Sequence, residues 1–273
     1  NGDGERDIVA ANNNSASVSV LLNSGTGTFG TATNFITGGA NSLALTLGDV
    51  NGDMKLDAVV ALNGSAAVAV LIGNGTGGFG TPTQLTVQNA PTSVAIADMN
   101  GDMKMDLVVT NQSSQSVSIL LANGAGGFLP ATNFPGGTSP RHAVVQDVNG
   151  DQKLDVVLSN TGAANVSVLL GNGTGGLGTA TNVAAPAANE AIIAGDFDGD
   201  QKMDLALAHQ TTPANVSVLR GNGMGGFAVV GTYRVGGGPR FITGGDFTGD
   251  GRIDIVSAGS GASTVTSLTN LSQ

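Results

Sequence analysis

The sequence predicts an all-β protein built from one small sheet repeated along the chain, and three observations carry that expectation. In 273 residues, 40% hydrophobic and 11% charged, the dominant types are Gly, Thr, Ser, Asn, Val and Ala. Helix-favouring Glu and Lys are scarce and Gly-Asn turn signals recur, a composition that suits strands and tight turns. Segments such as "SVSVLL", "AVAVLI" and "NVSVLL" alternate small or polar residues with apolar ones, the period-two pattern of a half-buried strand. Finally, "GDVNGDMKLDAVV", Gly48 to Val60, returns as "ADMNGDMKMDLVV", "QDVNGDQKLDVVL", "GDFDGDQKMDLAL" and "GDFTGDGRIDIVS", which marks an internal repeat.

The first aspartates of these stretches, Asp49, Asp98, Asp147, Asp196 and Asp246, set a period of 49 residues, 50 in the last step. The N-terminal "NGDGERDIVA" joins the series at the third loop position, so six repeats are visible and the first is clipped. A second signature, "NSGTGTFG", "GNGTGGFG", "NGAGGFLP", "GNGTGGLG" and "GNGMGGFA", follows each alternating segment at the same step. In the third repeat the strands read in order as "SVAIAD", "DLVVTN", "SVSILL" and a segment ending near Phe134. The aspartate loop joins the first two, and the Gly/Asn turn makes a hairpin of the last two. Four short antiparallel strands in a unit of this length form the blade of a β-propeller, whereas a β-solenoid needs a shorter period. Repeat one lacks its first strand and repeat six its fourth. Residues 1–273 are therefore expected to form a single propeller domain within a longer polypeptide, with terminal blades that could accept a strand from a neighbouring chain.

Several function classes fall away on composition. The formal net charge is −10, without a basic patch, so nucleic acid is not an expected partner. No apolar run reaches eighteen residues, so membrane insertion is not expected, and the absence of cysteine excludes disulfide and thiol chemistry. Enzyme activity is not expected either. His142 and His209 are the only histidines, and Glu190 is the sole acid outside the loops, which leaves little for a general acid-base pair. His209 is expected at the surface or at a blade edge. The "GNGTGG" turns lack the lysine and the following helix of a phosphate loop.

The loops have their own chemistry. Asp49, Asn51, Asp53 and Asp57 occupy positions 1, 3, 5 and 9, with the position 7 carbonyl available. Hard oxygens in that order suit calcium; magnesium holds to stricter octahedral geometry, and zinc would want His or Cys. All 18 aspartates of the chain lie in the six loops. Carboxylates crowded in this way repel one another unless a cation lies between them. Five loaded loops would bring about +10, which balances the chain charge. An EF-hand would carry glutamate at position 12 between helices, but here position 12 is Val60, Val109, Leu158, Leu207 and Ser257.

These residues resemble the FG-GAP, or VCBS, repeats of integrin α-subunit propellers and of secreted bacterial proteins. The resemblance spans the chain: "DVNGDMKLD" and its relatives match the calcium loop, Phe29-Gly30 and Phe79-Gly80 the Phe-Gly element, and "GGTSP" and "GGGP" the segment before the first strand. It implies ligands at Asp49, Asn51, Asp53, Asp57 and the Lys55 carbonyl, and at Asp98, Asn100, Asp102, Asp106 and the Lys104 carbonyl. It implies the same for Asp147, Asn149, Asp151, Asp155 and the Lys153 carbonyl, and for Asp196, Asp198, Asp200, Asp204 and the Lys202 carbonyl. The last of these sets has an extra carboxylate and is expected to bind most tightly. The set Asp246, Thr248, Asp250, Asp254 and the Arg252 carbonyl has a neutral hydroxyl at position 3 and is expected to be weakest, while Asn1, Asp3 and Asp7 form a partial site. In such loops position 6 usually takes glycine at positive φ. Met54, Met103, Gln152 and Gln201 stand there, each at an expected strain of roughly 1–2 kcal/mol. The family commonly closes seven blades, so the six repeats could belong to a seven-bladed ring.

Taken together these readings point to an extracellular or cell-surface adhesion or ligand-binding module with about five structural calcium ions. The alternatives are a carbohydrate-binding propeller of a polysaccharide-active protein and a subunit of a surface layer or fibre; the ligand is a protein or a glycan. Phe29, Phe79, Phe128 and Phe227 share one repeat position, Phe35, Phe134 and Tyr233 another, and Phe197 and Phe247 a third, as packing residues do. Phe241 is left over. With Arg240, and with Arg141 and His142 at the matching place two repeats earlier, it forms a candidate ligand cluster.

Overall fold

The computed structural model describes residues 1–124, 126–186, 189–261 and 263–270. Their strands form six antiparallel sheets, and apart from a 3-10 turn at Asn13–Ser15 no helix occurs among the described residues. Blade 1 comprises Ile8–Asn12, Ser17–Leu21 and Thr33–Ile36; blade 2 Ser42–Gly48, Asp57–Leu62, Ala67–Leu71 and Thr83–Thr86; blade 3 Pro91–Ala97, Asp106–Asn111, Ser116–Leu120 and Thr132–Pro135. Blade 4 comprises Pro140–Gln146, Asp155–Asn160, Asn165–Leu169 and Thr181–Ala184; blade 5 Asn189–Gly195, Asp204–His209, Asn215–Gly221 and Phe227–Arg234; blade 6 Pro239–Gly245, Asp254–Gly259 and Thr264–Leu268. Strands follow one another in chain order across each sheet, as hairpin connections require, and the two terminal blades have three strands each. The chain divides into two compact units, Asn1–Asn133 and Phe134–Gln273.

The core of each unit lies between sheets. In the first unit, Val59, Val68 and Val70 of blade 2 pack with Leu107, Val109 and Leu120 of blade 3. The other face of the same blade 2 strands sends Ala58, Val60 and Leu62 toward Val18 of blade 1. In the second unit, Val157, Val166 and Val168 of blade 4 meet Ile192, Leu205, Leu207 and Leu219 of blade 5. Ala206, Ala208 and Val216 then meet Ile242 and Ile255 of blade 6. Burying each large aliphatic chain here contributes about 1.5–3 kcal/mol.

This packing corrects one sequence expectation. The alternating segments are not half-buried: Ala67–Leu71 and Ser116–Leu120 are buried at every residue. Alternation survives because the two faces meet different neighbours. Apolar side chains fill one inter-sheet layer, while hydroxyl side chains on the other face join a polar ladder that runs outward to an asparagine of the exposed last strand. In blade 3 Asn111 Nδ2 donates to Ser118 Oγ at 2.8 Å, and Ser118 Oγ donates to Asn133 Oδ1 at 2.6 Å. Blade 4 repeats it with Asn160, Ser167 and Asn182 at 2.9 and 2.7 Å, and blade 1 with Asn12, Ser19 and Asn34 at 2.7 and 2.6 Å. A buried hydroxyl is tolerated because it both accepts and donates.

One aspartate anchors each blade, and its role is not apparent from the sequence. Asp57 opens the second strand fully buried; Oδ2 accepts from Val50 N–H at 3.0 Å and Oδ1 from Gly73 N–H at 2.8 Å. The carboxylate thus ties the aspartate loop to the turn after the third strand. Asp106 does the same with Met99 and Ala122, Asp155 with Val148 and Gly171, and Asp204 with Phe197 and Gly221. Asp254 holds Phe247 and Asn270, and Asp7 holds Asn23. The approach is close enough that a Cβ on Gly73, Gly171 or Gly221 would overlap the carbonyl oxygen of Leu56, Leu154 or Met203. Replacing one carboxylate by an amide leaves a single good acceptor for two buried N–H groups. Asp155→Asn is expected to destabilise by about 1–3 kcal/mol, read as a lower urea midpoint in EDTA with unchanged m-value.

Candidate metal centre

In each complete loop the first aspartate folds the backbone around itself. Asp49 Oδ1 accepts from the N–H groups of Gly52 and Asp53 at 2.7 and 3.1 Å, and Oδ2 accepts from Met54 N–H at 2.7 Å. Asn51 Oδ1 caps Asp53 N–H at 2.8 Å, and Asp53 Oδ1 caps Lys55 N–H at 3.0 Å. The Asp98, Asp147, Asp196 and Asp246 loops repeat the central contacts, as in Met103 and Gln152 donating at 2.8 and 2.7 Å and Gln201 and Gly251 both at 2.8 Å. The turn demands a left-handed residue at position 6: φ is 63° at Met54, 64° at Met103, 66° at Gln152, 64° at Gln201 and 82° at Gly251. Four of the five loops therefore carry a side chain where glycine would be unstrained. In the clipped loop Asn1 Oδ1 accepts from Asp3 N–H at 2.9 Å and Asp3 Oδ1 from Glu5 N–H at 2.8 Å, so positions 3, 5 and 9 keep their local pattern.

Two kinds of charge meet in these loops. At position 9, burial pushes the carboxyls of Asp57, Asp106, Asp155 and Asp204 above the ordinary aspartate range, and the neighbouring loop carboxylates push the same way. At position 5 the carboxyls of Asp53, Asp102, Asp151 and Asp200 are held low. Lys104 Nζ lies 2.9 Å from Asp102 Oδ2, and its hydrogen bond is the main cause of the lowering there. Lys55, Lys153 and Lys202 make the same contact with Asp53, Asp151 and Asp200, at 3.3, 3.2 and 2.9 Å. Position 7 offers more than its carbonyl, since its side chain is also a cation that partners position 5.

The Asp196 loop differs from the rest. Oxygens of Asp196, Asp198 and Asp204 lie within 4.8 Å of one another, the one such group of three among the described residues. The extra carboxylate has an extra partner: Arg220 Nε lies 2.8 Å from Asp198 Oδ2, and its Nη2 lies 3.0 Å from Asp200 Oδ2. Hydrogen bonds from Lys202 and Arg220 bring Asp200 down to about 2. Leu22, Ile72, Leu121 and Leu170 occupy the place of Arg220 in the earlier repeats, so one arginine accompanies one additional aspartate. The donor set fits a hard divalent cation: oxygens alone, arranged around a loop whose backbone is already folded. Asp196, Asp198, Asp204 and the Lys202 carbonyl would hold it.

The second candidate cluster lies on the first strands of blades 4 to 6. Each first strand carries a register irregularity beside its opening residue, and the bulged positions are Leu43, Thr92, Arg141, Glu190 and Arg240. Arg141 Nε lies 3.4 Å from Glu190 Oε2. The rings of His142 and Phe241 meet edge to face with centroids 5.9 Å apart, and His142 Nδ1 lies 3.1 Å from the Ile192 carbonyl. All four predicted residues thus belong to one patch, to which the structure adds Glu190. Phe241 is 55% exposed. His209, expected at a surface or blade edge, is buried because both faces of its strand are covered. Among the aromatics read as packing residues, Phe79, Phe128 and Phe227 line the cores, whereas Phe247 and Tyr233 are exposed.

Burial holds the His142 imidazole below its ordinary range, and adjacent Arg141 adds to this. The charged groups that face it are Arg141, Glu190 and Arg240. Between the folded pKa and the unfolded value of about 6.5 the unfolded chain binds the extra proton, so stability falls as pH drops below about 6.5. His142→Gln is expected to show a smaller loss of melting temperature between pH 7.5 and 5.5 than the parent chain.

Comparison with known proteins agrees with the repeat. No curated protein sequence matches significantly. Among solved structures the chain is similar to an Agrocybe aegerita lectin described as recognising non-reducing terminal N-acetylglucosamine: identity is 24%, coverage 99% of this chain and 78% of that one, and the TM-score 0.66. It is similar also to a putative 6-phosphogluconolactonase from Bacteroides uniformis, at 15% identity, 95% and 76% coverage and a TM-score of 0.72. A Pseudomonas aeruginosa periplasmic gluconolactonase gives 16%, 94%, 78% and 0.65. Likeness at this level concerns the fold. The FG-GAP-like repeat profile matches residues 1–60, 49–109, 98–158, 147–207 and 196–257, each match running from one aspartate loop to the strand after the next. With its six blades in register with those matches, the chain belongs to the FG-GAP-like repeat family.

Proposed function

We propose that this chain is a calcium-stabilised adhesion or ligand-binding module that works outside the cell. The observation that supports it best is the distribution of carboxylates: all 18 aspartates lie in the loops, and in each complete loop the ninth is buried beside others of like charge. Calcium, when bound, supplies two positive charges to a set of oxygens that otherwise repel. The residues do the rest: the first aspartate orders the turn, the ninth fixes it to the blade, and the strained sixth residue is held in place. Millimolar extracellular calcium would fill modest sites that cytosolic calcium would leave empty. A non-catalytic role is part of this reading, since the carboxylates are engaged in the loops, His209 is buried and Glu190 is ion-paired with Arg141.

With calcium at ten to a hundred times Kd, each occupied site stabilises by about 1.4–2.7 kcal/mol. The melting temperature is therefore expected to fall in EDTA and to return with calcium but less with magnesium; equal melting in both conditions would overturn the reading. Arg220 makes the Asp196 loop a special case. Its guanidinium occupies the additional carboxylate, so the extra charge does not by itself make this the tightest site. Arg220→Leu, which installs the residue of the neighbouring repeats, is expected to raise calcium affinity at this loop several-fold and to lower metal-free stability. Calcium titration of the variant and parent chains by calorimetry reads both.

A further inference from the structure

Charge outside the aspartate loops is scarce and gathered in one place. Apart from the loops and Arg220, which serves one of them, the chain has four charged side chains: Arg141, Glu190, Arg234 and Arg240. Three of the four occupy the bulged position of the first strand in blades 4, 5 and 6, where blades 2 and 3 have Leu43 and Thr92. A bulge re-aims the side chain it carries, and bulges concentrate beside functional sites. Repetition of the bulge in every blade belongs to the fold. The placement of arginine, glutamate and arginine on three of them does not follow from the fold.

We propose that this face of blades 4 to 6 binds a carboxylate-bearing saccharide of the uronic acid type, gripped by Arg141 and Arg240 and lying on Phe241. The inference rests on reading the chain as a ligand-binding module and names the class of ligand. Glu190 organises the two arginines without neutralising both. Its Oε2 takes Arg141 Nε at 3.4 Å. Its Oε1 takes the Gln210 amide nitrogen at 3.1 Å, and the Gln210 oxygen accepts from Arg240 Nε and Nη2 at 3.1 and 3.2 Å in the amide orientation that suits both neighbours. Ser260 Oγ lies 3.2 Å from Arg240 Nε. The patch keeps one net positive charge, and each planar guanidinium has five N–H donors, a fork that matches a carboxylate.

Phe241 is the apolar half of the site. More than half exposed, it is braced edge-on by His142, which the Ile192 carbonyl holds in turn. A ring fixed in this way offers a face to the C–H side of a pyranose, and its cost in side-chain entropy is already met by packing. A neutral sugar would leave the positive charge unanswered, and an acidic peptide side chain would bring a carboxylate without a ring face to cover Phe241.

The test is calorimetric titration of the calcium-loaded full chain with a β-glucuronide-ended oligosaccharide. The matched glucoside, which differs only in lacking the carboxylate, and a peptide ending in two aspartates are titrated alongside. The glucuronide is expected to bind at least tenfold more tightly than either. Arg141→Gln and Arg240→Gln should each weaken it at least tenfold, Arg141→Lys should recover part of the loss, and Phe241→Ala should weaken glucuronide and glucoside together. Calcium-dependent melting, followed on the same samples, should stay that of the parent chain. Equal binding of glucoside, preference for the peptide, or binding that survives the arginine substitutions, as it would if the loop calcium held the carboxylate, overturns the proposal. Absent glucuronide binding with intact calcium-dependent melting rejects this site alone, whereas loss of the melting response rejects the calcium reading itself.

Discussion

The structure depends on a carboxylate buried at the start of the second strand in blades 2 to 6. A charged group with both oxygens occupied by backbone N–H groups links two loops that are sixteen residues apart in most blades, and the aspartate loop takes its shape from that link. Hydrogen bonds to a charged acceptor are about twice as strong as neutral ones, and they offset part of the desolvation that burial imposes. In blades 2 to 5 they do not offset all of it, because the carboxyls of Asp57, Asp106, Asp155 and Asp204 remain shifted upward, whereas in blade 6 the hydrogen bonds prevail and hold Asp254 low. The same residue therefore gives the fold its connection and, in those four blades, brings a carboxylate into the neighbourhood of others of like charge.

The second constraint is that a sheet packed between two others has no solvent face. The strands Asp57–Leu62 and Ala67–Leu71 must satisfy a neighbour on each side, and they do so with a different set on each: Val59, Val68 and Val70 toward blade 3, alanines with Val60, Leu62 and Leu71 toward blade 1. Hydroxyl-bearing residues such as Ser118 and Ser167 are thus core residues, held by asparagines of the flanking strands. Alternation in the sequence marked the strands correctly and their exposure wrongly, since a period of two says that two faces differ and not that one of them is wet.

What was legible in the sequence follows the repeat. Strand order, the loop positions, the three-stranded terminal blades and the need for positive φ at Met54 and its counterparts are local or periodic features. The parts that were not legible lie far apart in the chain or depend on side-chain reach. Lys55 turning back on Asp53 could have been suspected from spacing, because alternate residues of a tight loop share a side. Arg220 reaching Asp198 and Asp200 could not, because twenty residues and a hairpin intervene. The burial of His209 depends on the neighbouring blades and has no local signal.

In a repeat protein each blade serves as a control for the next. Positions that recur, such as the first and ninth aspartates, have a role that every blade shares, and that role is to build the blade. Positions that break the pattern have no such explanation. Asp198 with Arg220 is one break, and its two charges balance, so it can be read as internal compensation that leaves the loop near the charge state of its neighbours. Arg141, Glu190 and Arg240 are another, and their charges do not balance. A surplus positive charge held on bulges, beside an exposed aromatic ring, in a chain that keeps most of its charge in the aspartate loops, lacks an internal partner of equal and opposite charge among the described residues. That is the physical difference between the two departures, and it is why the second supports the proposed ligand face while the first does not.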